Sequence, residues 1–196
     1  MDRIVYLDIE TTGLNPYNSY IIEIAVKDNI GNEWSSLIKS PVKLSYKIVE
    51  LTRITDEMLI KDGIEIKEGL NKLLEFIEGT NIKCDRARWI IGHNLIGFDW
   101  AFIYCHLLFN NIKIDRIKYK LLDTYRMAQY LYRDEYQSYK LVSLCEKNGI
   151  KGGGFHRAMN DVYATEKLYN NMYKEFKKKG IKVEKIWEYT TVPYSA

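Results

Sequence analysis

Asp8 and Glu10 stand two residues apart in the run Asp8-Ile9-Glu10-Thr11-Thr12-Gly13-Leu14, so on an extended strand they project to the same face. Two carboxylates converging there repel each other unless a cation neutralises them. The pair says little alone, because a chain with 26 acidic residues in 196 holds several acidic-x-acidic pairs by chance. Two more acids change its weight. Asp99 closes the run Gly92-His93-Asn94-Leu95-Ile96-Gly97-Phe98-Asp99 and falls in the first turn of an expected helix, where an acid also simply complements the helix dipole. Asp161 follows Gly152-Gly153-Gly154-Phe155-His156-Arg157, and the glycines let the backbone bend and approach a partner closely. On one continuous helix His156 and Asp161 would lie ~140° apart, so a shared site requires His156 on the loop side of the helix start. Oxygen ligands without a cysteine or histidine cluster suit Mg²⁺ or Mn²⁺ better than Zn²⁺.

The elements that must carry these residues can be read from the periodicity. Arg3 to Ile9 is a strand with apolar residues on both faces, which predicts a central position. Tyr20 to Val26 and Trp34 to Lys39 are two further strands, split by the turn-like Asp28-Asn29-Ile30-Gly31-Asn32, so the first three form an antiparallel meander. Ile66, Leu70, Leu73, Leu74 and Ile77 make the stripe of an amphipathic helix closed by Gly79. Arg88 to Gly92 and Tyr119 to Leu122 are short strands. Phe98 to Phe109, Tyr125 to Tyr132, Lys140 to Lys147 with Ser138 as its cap, and Arg157 to Lys178 are helices. The result is one α/β domain with a mixed sheet.

Composition bounds the rest. The chain has 196 residues, 46% hydrophobic and 28% charged, enough for one globular core and too few for two ordinary domains. A net charge of +3 permits nucleic acid as a partner without requiring it. Cys84, Cys105 and Cys145 form no Cys-x-x-Cys pair, which argues against a disulfide scaffold or a thiolate zinc site. The first residues lack the apolar core of a signal peptide, and no uncharged apolar run approaches the ~18 residues of a membrane span. A cytoplasmic, or otherwise intracellular and reducing, location without membrane contact is expected. His93 reads as strand-end packing and His106 as one face of a helix. The lysines at 174, 177, 178, 179, 182 and 185 read as a solvated helix end.

Taken in order, the three segments resemble the motifs of the DnaQ-like 3′-to-5′ exonucleases, a family on a ribonuclease-H-like fold. Asp8-Ile9-Glu10-Thr11-Thr12-Gly13-Leu14 resembles the first motif, Asn94-x-x-x-Phe98-Asp99 the second and His156-x-x-x-x-Asp161 the third. Ile54-Thr55-Asp56-Glu57-Met58-Leu59 is similar to the family's substrate-side segment, and Asp123-Thr124 to a frequent strand-end pair. Histidine at 156, with Arg at 157 where a second branch carries tyrosine, selects the histidine-containing (DEDDh) branch. Arg53 departs from the pattern, since the family often carries glycine there; its guanidinium is instead suited to a phosphate.

The resemblance implies a sheet with an antiparallel meander of strands one to three plus short parallel strands, flanked by helices. It implies a nuclease domain over residues 1–178 and a short tail over 179–196. Two divalent cations, Mg²⁺ or Mn²⁺, would be held by Asp8, Glu10, Asp99 and Asp161, with His156 as general base. The substrate would be nucleic acid with a free 3′ end, contacted by Thr11, Thr12, Leu14, Asn94, Phe98, Thr55 and Arg53. Single-stranded DNA is the expected substrate: Thr11-Thr12-Gly13-Leu14 resembles the proofreading-type branch more than the oligoribonuclease one, and paired ends would first have to fray, though the residues do not settle the sugar. An RNA-directed exonuclease is the alternative. A catalytically silent nucleic-acid-binding module would be expected to lack one of the five site residues, and all five are present. A stand-alone nuclease is expected; the tail, with Trp187, Tyr189, Pro193 and Tyr194, either packs on the domain or docks a polymerase or another replication or repair partner.

Overall fold

The computed structural model describes residues 3–79, 89–113, 120–133, 135–151 and 154–183. Cys84, Arg88, Tyr119, Gly152, Gly153, Lys185 and the tail aromatics lie outside them. Among the described residues five strands form one sheet: β1 (Ile4–Thr11), β2 (Ile21–Asp28), β3 (Glu33–Leu37), β4 (Trp89–Gly92) and β5 (Lys120–Asp123), in the order β3-β2-β1-β4-β5. The first three pair antiparallel as a meander, while β1–β4 and β4–β5 are parallel. β1 is central, and its two faces are buried as its two-sided apolar pattern predicts. Val5, Leu7 and Ile9 enter one core layer and Tyr6 the other.

The layer under Val5, Leu7 and Ile9 is closed by α3 (Ile66–Glu78) and α4 (Asp99–Phe109). α3 buries Leu70, Leu73, Phe76 and Ile77 and stops at Gly79, whose φ of 77° suits a residue without Cβ. The opposite layer is closed by α5 (Thr124–Leu131), α6 (Leu141–Lys147) and α7 (Ala158–Lys178), which meet around Tyr6, Met127, Leu144, Val162 and Met172. Two helices that periodicity misses, α1 (Tyr46–Thr52) and α2 (Asp56–Asp62), have seven residues each. Such short helices show no stripe; they are set by side-chain caps, Ser45 accepting from the Ile48 amide and Thr55 from the Met58 amide. Ser138 is not the cap of α6: Lys140 occupies that position and makes no side-chain cap bond.

One buried ion pair ties the meander to α3. Arg3 Nε donates to Asp28 Oδ2 at 2.9 Å, and its other nitrogens donate to the Ile77 and Phe76 carbonyl oxygens at 3.0 and 2.8 Å. Burial pushes the Asp28 carboxyl up, but hydrogen bonds from Asn32, Arg3 and Ile30 outweigh it and hold it below its ordinary value. Asp28→Ala leaves the guanidinium buried without its counter-charge and is expected to cost about 3–5 kcal/mol. The check is the midpoint of urea unfolding, with Asp28→Asn expected to lose less.

Candidate active site

Asp8 and Glu10 share the face of β1 that carries Tyr6, the side on which α7 packs. The β1–β2 register is irregular between Glu10 and Thr11, a bulge of the kind that re-aims side chains at sheet ends. Directly across from Glu10 on β2 stands Glu23, 4% exposed.

Asp99 arrives from the neighbouring parallel strand. β4 ends at buried Gly92, where a Cβ would stand 2.9 Å from the Leu95 Cβ and 3.0 Å from the Leu7 carbonyl oxygen, so the absence of a side chain lets the turn and β1 close in here. The following turn is organised by Asp123, the cap of α5, which accepts from the amides of Asn94 (2.8 Å), Ile96 (3.2 Å) and Tyr125 (2.9 Å). This delivers Asp99, 3% exposed, to the start of α4, where its Oδ1 accepts from the Ile9 amide at 3.1 Å, between the two β1 carboxylates. His93 Nε2 donates to the Tyr139 carbonyl oxygen at 2.9 Å and Nδ1 lies 2.9 Å from Thr124 Oγ1. Burial lowers its pKa to about 4, so it is a neutral tie in the wall of the site.

Asp161 and His156 are set by how α7 begins. Glu23 accepts from Arg157 Nη2 and from the Ala158 amide, each at 2.9 Å, pinning the helix start to β2. His156 has φ of 67°, a left-handed conformation costly for a side chain with a Cβ, and its amide donates to Asp161 Oδ2 at 3.0 Å. The imidazole is thus turned back over the helix start, the loop-side placement that sharing a site requires. Ligand atoms of Glu10, His156 and Asp161 all lie within 4.8 Å of one another.

The electrostatics follow from crowding. Burial first, then Asp99, Asp161, Glu10 and Glu23, push the Asp8 carboxyl well above the usual range. Glu10 is raised by burial, Asp161, Glu23 and Asp99 against the pull of Arg157. Asp99 is raised by burial against two amide hydrogen bonds, and Asp161 by burial against the His156 amide. Partial enclosure lowers the His156 pKa below its ordinary value. Among the described residues Asp161 Oδ1 is buried without a hydrogen-bond partner, an acceptor aimed at nothing in the chain. Glu10 and Asp161, the latter with an orphaned oxygen, lie within 4.8 Å of each other beside Asp8 and Asp99, an oxygen-rich set that fits a divalent cation.

These groups open onto a cavity of about 440 Å³ lined by Asp8, Ile9, Glu10, Asp99, Asp161, His93 and His156. Thr11, Thr12, Gly13, Leu14 and Phe98 form part of its wall, so the structure brings four of the seven expected substrate contacts to the carboxylates. Thr11 Oγ1 donates to the Gly13 carbonyl and Thr12 Oγ1 accepts from the Tyr20 amide, which hold the turn that presents Leu14, 85% exposed. Phe98 serves core and cavity together, packing 4.9 Å from the Phe102 ring. Asn94 lines an adjoining cavity with Tyr125, Lys140 and Phe155. Thr55 and Arg53 line neither: Thr55 caps α2, and Arg53 is the exposed C-cap of α1 with φ of 60°, the conformation glycine adopts most readily. What this segment contributes instead is Ser45, Lys47, Ile48 and Leu51 of the α1 region. The sequence reading also missed Glu23, although a lone charge inside Ile21-Ile22-Glu23-Ile24 was the available signal.

The raised carboxyls mean that the folded, metal-free chain binds protons more tightly than the unfolded one. Stability is then expected to fall as pH rises from the ordinary carboxylate range (~4) towards neutrality and beyond. Thermal unfolding in chelator should show a higher Tm at pH 5 than at pH 8. Asp8→Asn should raise the metal-free Tm at pH 8, and Mg²⁺ should stabilise the native chain more at pH 8 than at pH 5.

Solved structures of exonuclease I from E. coli share the fold, for example that in complex with a dA16 oligonucleotide, at a TM-score of 0.75 and 20% identity over 96% of this chain and 43% of that one. The mixed sheet with flanking helices is therefore the ribonuclease-H-like arrangement. DNA polymerase III PolC-type of Caldanaerobacter subterraneus subsp. tengcongensis is 34% identical over 182 residues, covering 91% of this chain, and that of Bacillus subtilis 33% over 184 residues, covering 90%. The chain spans 12% of the length of each of these polymerases. The family model described as Exonuclease (RNase_T) matches residues 5–169. This chain belongs to that exonuclease family.

Proposed function

We propose that this protein hydrolyses phosphodiester bonds from the 3′ end of single-stranded DNA, releasing nucleoside monophosphates with the help of two divalent cations, Mg²⁺ or Mn²⁺. The observation that carries the reading is the convergence of Asp8, Glu10, Asp99, Asp161 and His156 on one cavity whose remaining walls include Leu14, Ile48, Leu51 and Phe98. Acids and imidazole supply the chemistry, and apolar walls suit a nucleobase. Structures of exonuclease I bound to dA16 and dT13 oligonucleotides, and the PolC-type polymerase relatives, support DNA as substrate and a DNA polymerase as the partner class to test.

The four carboxylates would hold the cations, which supply Lewis-acid charge neutralisation at the phosphodiester and lower the pKa of water. The chain's own residues do the remaining work. His156 accepts the proton of the attacking water at an imidazole nitrogen; its lowered pKa keeps it neutral and competent at pH 7. The Glu23–Arg157 pair and the His156 amide bond to Asp161 hold that ring over the carboxylates. Leu14, Leu51 and Phe98 take the terminal base, and the turn from Thr11 to Gly13 closes the cavity beside it.

Degradation of an end-labelled strand is expected to stop in excess chelator, and Asp8→Asn or Asp161→Asn to abolish it while the chain stays folded. His156→Ala is expected to lower turnover ~10²–10⁴-fold. The acid limb of the native pH profile should lie below ~6.5. A panel of 5′-labelled single-stranded DNA, duplex DNA, RNA and circular single-stranded DNA tests the substrate. A descending ladder with intact circles is expected; cleavage of circles at a comparable rate would overturn the assignment.

A further inference from the structure

Helix α1 packs on the core through few of its residues. Of its seven residues only Thr52 is buried, and a helix this short is not stable by propensity alone. It is held by the Ser45 cap and by Ile48 against the small cluster of Ile22, Ile54 and Leu59. Its side chains at 47, 48 and 51 instead form one wall of the carboxylate cavity.

Lys47 is the only lysine or arginine lining that cavity among the described residues. Although it shares the cavity with four carboxylates, it forms no ion pair with any of them, and among the described residues it has no hydrogen-bond partner. A lysine placed to neutralise the acids would pair with one. This exposed cation lines the same cavity as the apolar Leu51 and Leu14, unpaired and open to an anion that enters it.

We propose that Lys47 binds a backbone phosphate of the substrate strand on the 5′ side of the scissile bond, making α1 a strand-gripping element. The inference rests on the exonuclease reading. At a 3′ terminus the scissile phosphate is the last one and belongs to the carboxylate centre, so any other phosphate within reach lies 5′ of it. An ammonium on a flexible stem suits that task, since it follows a phosphate as a point charge. A free lysine beside apolar walls is also the chemistry by which single strands are held, charge for backbone and apolar surface for bases.

The test is binding of a short fluorescent DNA strand, read by anisotropy in excess chelator at low salt, so that nothing is hydrolysed. Lys47→Ala should weaken binding about fivefold. It should also make the slope of log K against log salt shallower by about 0.7, the value of one single-strand phosphate contact, while Lys47→Arg keeps the native slope. A strand with a neutral methylphosphonate at the linkage next to the terminal one should bind the native chain more weakly and the Lys47→Ala chain no differently, as expected for two halves of one contact. Equal losses from the methylphosphonate in both chains, an unchanged salt slope, or no binding by the native chain would each overturn the assignment. Failure of the exonuclease reading would show elsewhere, as an absence of Mg²⁺-dependent degradation by the native chain.

Discussion

Asp8, Glu10, Asp99 and Asp161 are brought together with too little water to ionise independently, and much of the surrounding structure answers that repulsion. Burial is the largest cause raising all four, and neighbouring carboxylates, Asp99, Asp161 and Glu10 on Asp8 among them, add to it. The fold offsets part of this with backbone. Asp99 lies in the first turn of α4 and Asp161 in that of α7, so two helix N-termini direct their partial positive charge at the cluster. Amides of Ile9 and His156 donate to these two acids. What remains, including the unpartnered Asp161 Oδ1, suits a cation. The positive charge of a divalent cation would offset the repulsion that burial leaves unscreened.

A second acid–base pair keeps the geometry in place. Glu23 is more buried than Asp8, Glu10 or Asp161, yet it is satisfied by Arg157 and the Ala158 amide. It joins β2 to the start of α7, so the helix bearing Asp161 and the loop bearing His156 are registered against the strand next to Asp8 and Glu10. The left-handed backbone at His156 can persist because both flanking contacts are made. On the other side Asp123 plays the matching part, gathering three amides so that the turn after β4 delivers Asp99. Both are carboxylates near the site whose work is structural.

The parity of β1 and the order of the three motifs were legible because they depend on local regularities. Alternation along Ile4 to Glu10 assigns Asp8 and Glu10 to one face and makes the strand central, and the stripe from Ile66 to Ile77 ending at Gly79 marks α3. The motif resemblance likewise reads residues at short, regular spacings, and the five residues it singles out are ones that the tertiary structure gathers on one cavity. Even the loop-side placement of His156 follows from helix geometry, since ~140° of rotation forbids the alternative.

What only the tertiary structure decided are pairings between residues far apart in sequence. Nothing near Glu23 announces that its partner lies 134 residues away, and the contact exists only because the meander places β2 beside the start of α7. The substrate-side segment shows the same limit. Its Thr55 matches a pattern and its Arg53 departs from one, but the caps at Ser45 and Thr55 break the chain into two short helices, and it is α1 that faces the cavity through Lys47 and Leu51. Periodicity cannot foresee this, because seven residues make too few turns to show a stripe. The raised carboxyls belong to the same class: type and spacing determine which groups carry charge, while burial and proximity, set by packing alone, determine what that charge costs.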